Sequence, residues 1–113
     1  MIEIRRTEDD ELCGHVVEHD GTWRALAVFG GELGRYDTRD EAVQLVLDDG
    51  LASLAAHWHY RSEALPDWQI VCIQEASPAS VRIALDYYSM PGVPTLTLRR
   101  EDLDDGHSLV LRP

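Results

Sequence analysis

The chain has 113 residues, of which 21 are acidic and 10 basic, for a formal net charge of −11. Every basic residue is arginine, which excludes Schiff-base lysine chemistry and the lysine of phosphate-binding loops. Strong negative charge also disfavours nucleic-acid backbones and anionic membrane surfaces, and favours a basic partner.

Hydrophobic residues make up 44% of the chain, enough for one globular core at this length, so a single domain over residues 1–113 is expected. No apolar run approaches the roughly 20 residues that span a bilayer. The N-terminus lacks the layout of a signal peptide, which points to a cytoplasmic protein. Cys13 and Cys72 are too few for a disulfide framework and read as buried free thiols.

In chain order, "IEIRR" is a short first strand, followed by the acidic turn "TEDDE". "LCGHVVEH", "TWRALAVF" and "ELGRYDT" follow as strands, separated at Asp20-Gly21 and at Gly30-Gly31. Both dipeptides are hairpin signals, because type I′ turns require φ > 0 at their two central positions. An antiparallel meander over residues 12–36 follows from them.

The period then changes. Thr38, three residues before Glu41, forms a capping-box pattern that opens a helix. Val43, Leu47, Leu51, Leu54 and Trp58 fall within an arc of about 80° at helical spacing. That stripe predicts one helix, or a kinked pair around Gly50, ending at Pro66. "DWQIVCIQEA" is a buried strand. Residues 78–89 fit a strand with Val81, Ile83, Leu85 and Tyr87 on one face, or a helix started by Ser77-Pro78; the strand is preferred. "PGVPTLTLRR" and "SLVLRP" are final strands on either side of "EDLDDGH", read as a solvated hairpin turn. The class is α+β: a mostly antiparallel sheet with a three- to four-stranded N-terminal meander, packed on the central helix, with further strands in the C-terminal half.

The chemistry-bearing candidate is "LAAHWHYRSE". His57-x-His59-x-x-x-Glu63 resembles the first metal motif of the cupin barrels over fewer than a dozen residues. That resemblance implies a metal-dependent enzyme with His57, His59 and Glu63 as ligands. The family's second motif is not matched, since "SMPGVPTLTL" contains no histidine. On the predicted helix the two imidazoles diverge by about 200° and cannot share an ion. Metal-dependent catalysis is therefore the alternative, and no cofactor is expected.

"TWRALAVFGGELGRYDTRDEA" is similar to the core of the plant ethylene-response-factor DNA-binding domain, through Trp23, Ala25, Gly31, Leu33, Gly34, Tyr36, Thr38 and Ala42. The resemblance implies three strands feeding a capped helix. Arg24 and Arg35 on those strands, against a charge of −11, do not supply the counterion release on which DNA affinity depends. Nucleic-acid binding is thus the least favoured function, and neither family is assigned.

Cys13, His15 and His19 alternate onto one strand face without a second ligand pair. No nucleophile elbow or phosphate-cradling glycine pattern is present. Tyr60, Trp68, Tyr87 and Tyr88 exceed what one small core hides, and exposed aromatics favour interfaces. The expected function is a non-catalytic protein-interaction or regulatory module of inhibitor or immunity type, forming a homodimer and binding a basic protein.

Overall fold

The computed structural model describes residues 1–103 and 105–113. The chain is an α+β protein in which one α-helix packs on a nine-stranded, mostly antiparallel sheet. The strands are β1 (Ile2–Arg5), β2 (Leu12–His19), β3 (Thr22–Leu26), β4 (Glu32–Tyr36), β5 (His57–Ser62), β6 (Gln69–Ala76), β7 (Ser80–Ala84), β8 (Thr95–Arg99) and β9 (His107–Val110). Helix α1 covers Arg39–Asp49.

The first four strands form the expected meander. Asp20 at φ 52° and Gly21 at φ 78° make the primed turn that joins β2 to β3, as the Asp-Gly signal requires. The β3–β4 turn is closed by the Gly30 N–H donating to the Ala27 carbonyl and the Ala27 N–H donating to that of Gly31.

Thr38 caps α1, its hydroxyl oxygen accepting from the Glu41 N–H at 3.3 Å. The Thr38 hydroxyl in turn donates to the Glu41 carboxylate at 2.8 Å. Ala42 and Val46 are the buried face of α1, and the helix packs on β1, β2, β3 and β4. The stripe expected from the sequence is therefore displaced, and Leu47 is exposed.

The helix does not run to Pro66. It ends at Asp49, with Gly50 as its C-cap donating to the Val46 carbonyl, and glycine is needed there because the chain passes against β2: a Cβ would lie 2.3 Å from the Cys13 carbonyl oxygen. A short 3-10 turn follows over Ala52–Ala55, in which the Ser53 hydroxyl donates to the Gly50 carbonyl. Residues 57–62 then form β5, correcting the helical reading of "LAAHWHYRSE". Its burial alternates, with Trp58 and Tyr60 inward and His57 and Arg61 outward. Aromatic residues suit a pleated, half-buried surface, and hydrogen-bonded neighbours on both sides fix the extended form.

β5 to β8 form a second meander. Within the sheet, the two meanders are joined through β9, giving the order β1-β2-β3-β4-β9-β5-β6-β7-β8. β9 runs antiparallel to β5 from Ser62↔His107 to His59↔Val110. It touches β4 in parallel at Glu32↔Val110, where the Leu111 N–H also donates to the Glu32 carbonyl. "EDLDDGH" is thus not the turn of a β8–β9 hairpin: β8 is a sheet edge and β9 lies mid-sheet. Arg100–Asp102 form a 3-10 turn, and Asp104 of this stretch lies outside the described residues.

Residues 78–89 are strand only as far as Ala84. Val81 and Ile83 are buried as expected, but Leu85 and Tyr87 belong to a loop, and Ser77 accepts from the Ala79 and Ser80 N–H groups in a turn. One core joins the halves: Ile4, Val16, Ala25 and Val46 belong to the same buried cluster as Trp58, Val71, Ile83 and Leu98. Phe29 meets Trp58 edge to face at 5.1 Å, and the Trp58 indole N–H donates to the Ser53 carbonyl at 2.8 Å.

Candidate functional site

The outward face of β5 and β6 collects most of the side chains with chemical potential. Cross-strand register sets His57 opposite Cys72 and His59 opposite Ile70. Because β5 is a strand, His57 and His59 leave it on the same side, not on the opposite sides expected of a helix.

The two imidazoles nonetheless have separate partners. His57 Nε2 donates to the Tyr87 carbonyl at 2.8 Å, and its ring stacks on that of Tyr87 at 4.0 Å. His59 Nδ1 donates to the Leu111 carbonyl at 3.1 Å. Glu63 lies beyond the end of β5. Among the described residues, no three His, Cys, Asp or Glu side chains are grouped so as to hold a metal ion.

The β7–β8 loop, residues 85–94, folds back over this face. The Cys72 thiol donates to the Tyr87 carbonyl at 3.0 Å and to that of Asp86 at 3.6 Å. Gln74 holds the Ser89 hydroxyl at 2.9 Å, and the Asp86 carboxylate accepts the Tyr87 N–H at 2.6 Å. Burial, with the Asp86 carboxylate next, raises the Cys72 pKa and keeps its thiol protonated. A protonated thiol is a poor nucleophile, so this cysteine serves the loop as a donor. Both cysteines are free, Cys13 buried and Cys72 half-buried.

The loop's backbone is fixed while its large side chains face out. Tyr87 is 47% exposed, Tyr88 64% and Met90 61%, and Ile70 on the adjoining strand is 43% exposed. The Tyr87 and Tyr88 rings meet edge to face at 4.9 Å. Trp68 is half-buried beneath the Arg61 guanidinium, which lies 4.3 Å from its ring centre. Tyr60, the fourth aromatic singled out from the sequence, is not at the surface: it is 2% exposed and shares a 2.7 Å hydrogen bond with His107.

Sequence reasoning passed over Ile70 and Met90. Ile70 sits in an apolar run whose outward positions become visible only when the pleat is known. Met90 lies just past residues 78–89, whose form local pattern left open, and before the strand read from Pro91. Cys13, His15 and His19 gather no site either: the first two are buried, and His19 is exposed beside Asp20.

No described helix is long and apolar enough to cross a membrane. The chain matches no known family model, no curated protein and no solved structure.

Proposed function

We propose that the protein is a non-catalytic protein-interaction module that docks through the β7–β8 loop. The observation that carries this reading is the anchored β7–β8 loop, which turns Tyr87, Tyr88 and Met90 outward with the two tyrosine rings edge to face, while Ile70 is exposed on β6. Aromatic and methionine side chains are enriched at the centres of interfaces, and a pre-ordered loop lowers the entropy lost on binding. The net charge of −11 favours a basic partner, which suits an inhibitor or immunity-type role in the cytoplasm.

The test is capture of partners from cytoplasmic extract with the wild-type chain and with a Tyr88→Ser/Met90→Ser double variant, each of checked melting temperature. A basic polypeptide retained by the wild type and lost from an equally stable variant is expected. Equal retention by both, or robust turnover of the isolated chain in a hydrolase and transferase screen, overturns the reading. Sedimentation of the same two proteins tests the expected homodimer: if the loop joins two copies, the variant is monomeric where the wild type is not.

A further inference from the structure

Arginine is scarce on this acidic chain, yet four of its ten basic residues line one concavity. The cavity, about 240 Å³, opens where β4, β9 and β5 meet, and Arg24, Arg35, Arg61 and Arg112 surround it with Trp68 and Ser108. Its position follows from register. Arg24 faces Arg35 across β3 and β4, and Arg61 faces Ser108 across β5 and β9. β9 brings the two pairs together by bridging β4 at Glu32↔Val110.

Glu32 also lines the cavity, and one of its oxygens accepts from Nε of Arg24 at 2.9 Å and from Nε of Arg35 at 2.5 Å. That shared carboxylate holds the two side chains in place, and the Arg35 pair leaves its terminal amino groups outside the bond. Arg61 is held differently. Its guanidinium lies over the Trp68 ring, an attraction that fixes the plane of the fork and leaves its N–H edge for another ligand. Neither Arg61 nor Arg112 forms an ion pair with a described residue.

We propose that this concavity is an oxyanion site, which takes a carboxylate or phosphate group with Arg61 as its central donor and Arg35 and Arg112 beside it. Guanidinium pairs with such groups are charge-assisted and often bidentate, so a pre-set fork recognises geometry as well as charge. The volume lies below that of pockets for whole drug-sized molecules, roughly 300–1,000 Å³, and suits one anionic group with the rest of its bearer outside. The site is distinct from the docking loop, so neither proposal depends on the other.

The test is titration of the intact protein with inorganic phosphate and, separately, with N-acetylglutamate, at constant ionic strength set with sodium chloride. Trp68 fluorescence reports occupancy, with Trp68→Phe identifying its share of the signal, and the Arg61 Nε–H resonance reports contact. A saturable response is expected, weakened about tenfold or more by Arg61→Gln or Arg112→Gln and unchanged by Arg5→Gln on β1. Saturation by phosphate alone identifies free phosphate-type anions as the ligand class; saturation by N-acetylglutamate alone identifies acidic side chains. The proposal is overturned if neither ligand saturates, or if Arg61→Gln, with its melting temperature retained, titrates like the wild type.

Discussion

The two meanders use the same strand count and differ in what covers them. β1 to β4 carry α1, and the β3–β4 connection sends Ala27 and Phe29 into the core. β5 to β8 have no α-helix packed on them, and their outward face is crossed by one loop that holds Tyr87, Tyr88 and Met90 toward solvent. Apolar side chains are exposed in both halves, Met1, Ile2 and Leu47 in the first and Leu65, Ile70, Tyr87, Tyr88 and Met90 in the second, but only the second gathers several of them on one loop. A domain with a stable scaffold at one end can keep such surface ordered at the other, which is what recognition requires.

Trp58 is the residue that most directly ties the two halves together. It is 0% exposed, meets Phe29 from the first half, and is tied to Ser53. Trp58→Ala should cost about 3–5 kcal/mol, measured by urea unfolding. If the halves share one core, the loss appears in a single transition seen alike by all probes. Two separated transitions would mean that they fold as independent units.

The next effect belongs to the helix-covered half alone. Thr38→Ala removes the cap of α1 and should cost about 1 kcal/mol. In native-state hydrogen exchange the loss should fall first on the α1 amides, with β6 and β7 changed only as far as global stability changes.

A third effect is read as a slope. Burial, with the Arg100 charge next, lowers the pKa of His15, whose Nδ1 finds no hydrogen-bond partner among the described residues. The fold therefore favours neutral His15. Its contribution is complete above the unfolded value of about 6.5 and is lost as pH falls from there through the folded pKa. Melting temperature should decline over that window, and His15→Leu should flatten the decline.

The smallest effect is on the exposed loop. Tyr88→Ser should change stability by less than about 0.5 kcal/mol while removing partner capture. A large loss of stability instead would make Tyr88 part of the scaffold and erase the contrast between the two halves.

The same contrast governs how much could be read from sequence. In the first half the instructions are local: Asp20-Gly21 sets its turn, and Thr38 starts its helix. In the second half Trp58 happens to continue the helical phase of Val43 and Leu47, so periodicity carried the helix through a segment that tertiary pairing makes a strand. β5 is held between β6, which follows it closely, and β9, some 50 residues away in sequence, and no local pattern announces the second pairing. Tyr60 was misplaced for the same reason. An aromatic counted as surplus becomes core once its strand alternation is known. The arginine concavity was equally hidden, since its residues converge only when β9 enters the sheet.

The position of β9 also sets an order of events during synthesis. Both meanders leave the ribosome before the strand that joins them, so the facing edges of β4 and β5 wait unpaired until residues 107–110 emerge. Open edges of this kind invite pairing with other chains, and the contacts that close them are distant in sequence and slow to form. The nascent chain is thus most exposed to misassembly in the interval before β9 emerges, when β1 to β8 and α1 have already been made.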